Sequence, residues 1–265
     1  MKIISLLENT TRREDMLTEH GLSLYIETDT HKILFDMGQT DAFYENAKML
    51  GVDISAVDFA VVSHGHYDHG GGLAKFLEVN SRAPVYIMRD AFLQHYNAKG
   101  KYIGLDTALI ANPRLVFTDN IYDKFSIAEN ITLYSCNNRE PRAEIDPCGL
   151  TEQECDMLVP DTFFHEQYLQ IENVGEDAKC VVISGCSHKG ILNIAEWFCP
   201  DVIVGGFHFS KKPMDEKLAA MACALDEYET EYYTCHCTGE AQFEFMRGRM
   251  KKLNYLACGD MLEIK

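Results

Sequence analysis

Positive charge is scarce in this chain of 265 residues: 24 lysines and arginines stand against 41 aspartates and glutamates, a formal net charge of −17. Nucleic acids and anionic membranes are bound through cationic surface, so neither is expected as the main partner, and an anionic substrate would need local help. Long apolar runs are also missing. No stretch approaches the roughly 20 residues needed to cross a bilayer, and a composition 46% hydrophobic and 25% charged is that of a soluble globular protein. The opening segment Met1 to Glu8 is too short in apolar residues for a signal peptide and runs into the charged stretch Thr11 to Asp15, so it reads as a first strand. Ten cysteines without a signal peptide imply a reducing cytoplasm and free thiols. Cys148 with Cys155, or Cys235 with Cys237, would be half of a zinc or iron–sulfur site, but no second C-x-x-C pair completes one. The default for these thiols is a small buried hydrophobe.

What the chain does have is concentrated at residues 59 to 72. An apolar run, Phe59-Ala-Val-Val, stops at His64, His66, Asp68 and His69, with Gly65, Gly70, Gly71 and Gly72 between and after them. Imidazole and carboxylate suit zinc, manganese or iron, and ligands on the loop after a buried strand are well placed to bind them. Residues two apart in an extended turn point the same way, so His64 and His66 can share one ion while Asp68 and His69 face a second. Unpaired histidine and aspartate massed beside a buried strand would be costly without a cation.

The length allows one large or two small domains. Strands are expected at Ile3 to Leu7, Ser23 to Glu27, Lys32 to Phe35, Phe59 to Val62 and Pro84 to Met88, with helices at Phe43 to Leu50, Leu73 to Val79 and Ala91 to Tyr96. From Asn97 to Pro160 the chain is broken by Asn112-Pro113, Asn137-Asn138 and Pro147-Cys148-Gly149, and an irregular insertion covering the substrate is expected there. From Gln167 onward one plan recurs three times, a strand ending on a histidine and followed by a helix. Lys179 to Ser184 leads to His188 and a helix over Ile191 to Phe198; Asp201 to Val204 leads to His208 and a helix over Met214 to Tyr228; Glu231 to Thr234 leads to His236 and a helix over Glu240 to Leu253. Ligands of open α/β sheets bind beyond the carboxyl ends of the strands, so these histidines can converge on the first cluster. His188 and His208 are read as metal ligands, and His236 as a ligand or a substrate contact.

His64 to His69, the upstream segment Ile33-Leu34-Phe35-Asp36-Met37-Gly38 and the late histidines together resemble the metallo-β-lactamase superfamily. Glu19 to Glu27, Ser63 to Gly72, Ile183 to Ile191 and Gly205-Gly206-Phe207-His208 are similar to its subgroup of metal-dependent hydrolases related to the methanopterin-pathway dihydropteroate synthase. The resemblance covers nearly the whole chain. It implies a single α/β domain, an αββα sandwich of two packed mixed β-sheets with helices outside, and two divalent ions, zinc before manganese or iron, at one sheet edge. It also implies that His64, His66 and His188 hold the first ion and Asp68, His69 and His208 the second, with the places of His188 and His208 open to exchange. Asp36 would accept a hydrogen bond from a ligand histidine. Where many members carry a bridging aspartate this chain has Cys186, either a softer ligand or a plain buried thiol.

Such a centre can acidify water and polarise a substrate oxygen, which is hydrolytic equipment, with Asp68 and His236 as candidates for orienting water or moving its proton. Lys189 after His188, and Lys211 with Lys212 after His208, are candidate contacts for phosphate or carboxylate at the rim, with ordinary surface lysine as the bland alternative. Aromatic residues such as Phe92, Tyr96 and Phe164 could stack on a flat ring such as a pterin, or simply pack a lid. Three readings follow: a hydrolase of a small anionic ester or phosphoester, a transferase joining a pterin diphosphate to an arylamine, and a non-catalytic metal or redox sensor. The partner in the first two is a small-molecule substrate, and a monomer and a homodimer are equally compatible with the sequence.

Overall fold

The computed structural model describes residues 1–119 and 123–265. In chain order its strands are β1 (Lys2–Leu7), β2 (Ser23–Glu27), β3 (Lys32–Phe35), β4 (Phe59–Val61), β5 (Val85–Ile87), β6 (His95–Tyr96), β7 (Leu115–Phe117), β8 (Lys124–Ala128), β9 (Ile131–Tyr134), β10 (Thr151–Glu154), β11 (Met157–Pro160), β12 (Tyr168–Val174), β13 (Lys179–Ile183), β14 (Val202–Gly205), β15 (Glu231–Thr234), β16 (Leu253–Tyr255) and β17 (Met261–Glu263). The α-helices are α1 (Ala42–Met49), α2 (Tyr67–Gly70), α3 (Leu73–Val79), α4 (Ile191–Phe198), α5 (Glu216–Asp226) and α6 (Glu240–Arg247).

Two sheets of seven strands form the centre. One runs β17-β1-β2-β3-β4-β5-β7 and the other β16-β15-β14-β13-β12-β9-β8, while β11-β10-β6 make a small third sheet. Each large sheet is antiparallel on one side and parallel on the other, and β3 to β4 and β13 to β15 lie in the parallel parts. Side-chain alternation divides the core into layers. Ile33, Phe35, Val181, Ile183, Val202 and Val204 point between the sheets. Their neighbours point outward, Leu34 onto Phe43, Ala47 and Phe76 of α1 and α3, and Val182 and Ile203 onto Ile194, Ala222 and Met246 of α4, α5 and α6. This is an αββα sandwich, and strands buried on both faces explain why Val181-Val182-Ile183 and Val202-Ile203-Val204 read as unbroken apolar runs. No helix of the described residues is long and apolar enough to cross a membrane.

Four expectations are corrected. Residues 91–96 are not a helix: a 3₁₀ turn at Arg89–Phe92 gives way to β6, whose Tyr96 and His95 pair with Thr151 and Glu152. Six residues are too few to sustain a helix when a strand edge is on offer. The stretch 97–160 is more regular than its turn residues suggest, since β7 extends the first sheet, β8 and β9 extend the second, and β10 and β11 form a hairpin; residues 120–122 of it lie outside the described residues. The helix after His208 starts only at Glu216, where the Asp215 carboxylate accepts from the N–H groups of Lys217 and Leu218. The last helix stops at Arg247 before Gly248, and Leu253–Tyr255 is a strand. Leu24 is fully buried between the sheets, so Leu24→Ala should lower unfolding free energy by about 3 kcal/mol in urea titrations; a loss under about 1 kcal/mol would show that the inter-sheet layer is not close-packed there.

Candidate metal centre

Every residue of the cluster sits on the segment that follows a parallel strand, Asp68 and His69 on the short helix α2. Asp36 follows β3, His64 to His69 follow β4, Cys186 and His188 follow β13, His208 follows β14 and His236 follows β15. These loops are tightly bent: Asp36, Ser187, His208 and His236 have φ of 58°, 56°, 56° and 49°, in the left-handed region. Non-glycine residues there cost of order 1 kcal/mol or more each and persist where the surroundings impose them, often at functional sites. Glycine is required at two close approaches, because a Cβ at Gly65 would meet the Ala91 carbonyl oxygen and one at Gly185 the Ser63 hydroxyl.

Hydrogen bonds fix which nitrogen each ring turns inward. Buried Asp36 accepts from the Ser63 N–H (2.7 Å), the Ser63 hydroxyl (2.7 Å) and His69 Nδ1 (2.6 Å). The Ser63 proton is thereby committed, so its oxygen accepts from His64 Nδ1 at 2.8 Å. His64 and His69 therefore both turn Nε2 toward the site. His236 is held likewise, its Nδ1 donating to Asn9 Oδ1 (2.8 Å) and its backbone N–H to Glu8 Oε2 (3.0 Å). His69 Nε2 then lies 3.1 Å from His236 Nε2 and 3.2 Å from Cys186 Sγ. Two lone pairs so close repel unless a proton or a cation stands between them.

The remaining nitrogens repeat the pattern. Among the described residues, six buried side-chain nitrogen or oxygen atoms lack a hydrogen-bond partner, and five are imidazole nitrogens: His64 Nε2, His66 Nε2, both of His188, and His208 Nδ1. Each such atom costs on the order of 1–3 kcal/mol, so their convergence is the donor set that a cation site requires. The donor atoms of His64, His66 and His188 lie within 4.8 Å of one another, as do those of His64, His69 and Cys186, and those of His20, Asp68 and His236. The set is imidazole, carboxylate and thiol, which fits a borderline divalent ion.

Charge is arranged to match. Burial, helped by neighbouring rings, pushes His64 and His188 well below the usual imidazole value, leaving the neutral form that binds metal. At His69 burial acts in the same sense, but Asp36 and Asp68 outweigh it and hold the ring up at about 9, so without a cation Nε2 keeps a proton that a bound metal would displace. Burial disfavours the charge on Asp68, yet His69, His20 and His236 keep its carboxyl well below the usual range.

Sequence order misplaces two of the expected residues. His236, not His208, stands with Asp68 and His69, its Nε2 3.4 Å from Asp68 Oδ2; His208 instead lies against His188, ring centroids 4.3 Å apart, and beside Cys237. Lys189 is not at a rim. It is buried, and its Nζ is satisfied by Ser135 O (2.7 Å), Asn137 Oδ1 (2.6 Å) and Glu166 O (3.1 Å), burial pushing it down to about 8. Lys211 is exposed and does not line the adjoining cavity, which Lys212 does. Cys186 is buried, between His69 and Cys237.

Other site residues carry no obvious sequence signal. Asp161, His165 and His95 form a buried group beside His66, with His95 Nδ1 3.1 Å and His165 Nε2 3.2 Å from Asp161. Gly65 N–H donates to His165 Nδ1 at 2.9 Å, so this group braces the loop that carries His64 and His66. Glu166 braces the next loop, accepting from the N–H groups of His188 (2.8 Å) and Lys189 (3.0 Å). The spacing Asp161 to His165 just before a strand was the available hint.

The sandwich and its histidine-lined edge have known counterparts. The family model of the metallo-beta-lactamase superfamily matches residues 18–134, and the whole chain superposes on the crystal structure of Tm1679, a metal-dependent hydrolase of the beta-lactamase superfamily, with a TM-score of 0.82, 29% identity and coverage of 100% of this chain and 99% of that one. Residues 18–134 thus match the metallo-beta-lactamase superfamily, and the chain has the metallo-beta-lactamase fold. An uncharacterized protein of Methanocaldococcus jannaschii is 29% identical over 89% of this chain and 91% of its own length. The 7,8-dihydropterin-6-methyl-4-(beta-D-ribofuranosyl)-aminobenzene-5'-phosphate synthase of the same organism is 23% identical over 93% of this chain and 90% of its own. These relatives fit the subgroup that the motifs resemble, and the superfamily's hydrolases support a general metal-dependent hydrolase reading.

Because Asp36 sets the His69 ring, Asp36→Asn should weaken metal affinity about 10- to 100-fold, measured by competition with a chromophoric chelator. Unchanged affinity would mean that Asp36 only ties β3 to Ser63.

Proposed function

We propose that this protein is a hydrolase of a small ester or phosphoester, acting at two adjacent divalent cation positions, one built from His64, His66 and His188, the other from Asp68, His69 and His236 with Cys186 at its edge. The observation that carries the reading is the convergence of donors: buried imidazole nitrogens without partners at His64, His66 and His188, beside His69 Nε2 and His236 Nε2 facing each other at 3.1 Å next to Asp68. Bound divalent ions, zinc first among the candidates, supply Lewis acidity toward a substrate oxygen and make a nearby water more acidic. The chain's own groups supply position and proton traffic. Asp68 Oδ2 lies 3.2 Å from Nε2 of His20, whose side chain is 54% exposed, so a proton taken up at Asp68 has a short path to solvent.

A cavity of about 440 Å³ opens beside this site and meets it at His188 and His208. That is room for one small ligand. Phe207, Phe209, Ile191, Leu218 and Met221 give it apolar walls, and Lys212 and Lys217 stand among Glu144, Asp146 and Asp215 at its polar edge. Substrate would lie along the apolar wall beside His188, with the two lysines supporting an anionic group. The relative that makes a phosphate-bearing pterin arylamine favours a second reading, transfer of a pterin group to an arylamine.

Protein purified without added metal, analysed for metal and then screened, separates the two. Release of acid or phosphate in water alone supports hydrolysis, and a strict need for an amine acceptor supports transfer. His66→Ala should lose at least about 100-fold in turnover with its circular dichroism unchanged; wild-type rates would refute the catalytic site in either form.

A further inference from the structure

Two donor groups extend beyond the two cation positions: His66, His95, Asp161 and His165, where Asp161 and the Gly65 N–H already occupy His95 and His165, and a second group built on thiols. The thiols of Cys186 and Cys237 and a ring nitrogen of His208 lie within 4.8 Å of one another. They come from the loops after β13, β15 and β14, so three neighbouring parallel strands deliver them to one point. Both thiols are buried and neither is in a disulfide. His208 Nδ1 is buried without a partner, and the His208 backbone N–H donates to Cys237 Sγ at 3.2 Å, which fixes the thiol against the ring. Gly206 leaves the space for this sulfur, since a Cβ there would meet Cys237 Sγ.

We propose that Cys186, His208 and Cys237 form a third cation position, with two sulfurs and one nitrogen, lying between the cavity and the two imidazole-rich positions. Thiolate-rich sets take zinc, cadmium or cuprous ions in preference to magnesium, calcium or manganese. Three protein donors leave a fourth direction open, and His208 borders the cavity, so an ion has a route from solvent. With no ion there, His208 Nδ1 has no hydrogen-bond partner of its own, although Cys148 and Cys237 lie against the ring. The position shares only Cys186 with the hydrolytic site and stands independently of any activity.

The test is cobalt(II) titration of the reduced, metal-free protein, reading retained metal per chain together with thiolate-to-cobalt charge transfer in the near ultraviolet. Cys237→Ser should retain one equivalent fewer than wild type, with the charge-transfer band falling to the part that Cys186 contributes at the neighbouring ion. His208→Gln approaches the same position from another loop and should lose the same equivalent, which covers failure of the cysteine variant to fold. His64→Ala separates the two claims, since it should lower the metal count while sparing the thiolate band. A wild-type metal count and band intensity in a folded Cys237→Ser or His208→Gln protein would overturn the third position and leave the hydrolytic site untouched.

Discussion

His69 Nε2 and His236 Nε2 face one another at 3.1 Å because each ring has already committed its other nitrogen, to Asp36 and to Asn9. Neither can turn away without breaking a bond made at its back. The same holds for His64, locked through Ser63. A ring free to rotate would find a carbonyl or a water; these rings instead turn their Nε2 atoms toward one another, which requires a proton or a cation between them. The fold sustains it because the loops are short, strained and anchored on strands buried on both faces, so local relaxation would have to move the sandwich itself.

Four buried carboxylates do the anchoring, one behind each part of the site. Asp36 holds His69 and Ser63, Glu8 accepts from the His236 N–H and the Tyr255 hydroxyl, Glu166 holds the His188–Lys189 turn, and Asp161 accepts from His95, His165 and the Phe163 N–H. Part of the chain's acidity is therefore internal. A buried carboxylate is tolerated when hydrogen bonds and positive charge answer it, and divalent ions among the histidines would supply that charge where the few lysines do not reach.

Much of this was legible in the residues because it is local. The apolar runs in Lys32–Phe35 and Lys179–Ile183 mark strands buried on both faces, and His64 to His69 form a cluster within six positions. What could not be read depends on which loop leans where. Three late histidines follow three strands in the same way, and their order does not say that His236, tied to Glu8 and Asn9, reaches Asp68 while His208 turns toward Cys237. The group at His95, Asp161 and His165 joins residues 66 apart through a hairpin whose pairing with β6 no periodicity announces. Lys189 shows the opposite failure: a lysine after a ligand suggests a surface charge, and only the three acceptors around its ammonium reveal a structural tie.

The pairing of β1 with β17, and the hold of Glu8 and Asn9 on His236, join the first ten residues to the last thirty. A nascent chain on the ribosome would thus carry its densest histidine motif long before it could close the pocket around it. A chain lacking His236 would have no ring for Glu8 and Asn9 to hold against His69, so the centre would stay incomplete.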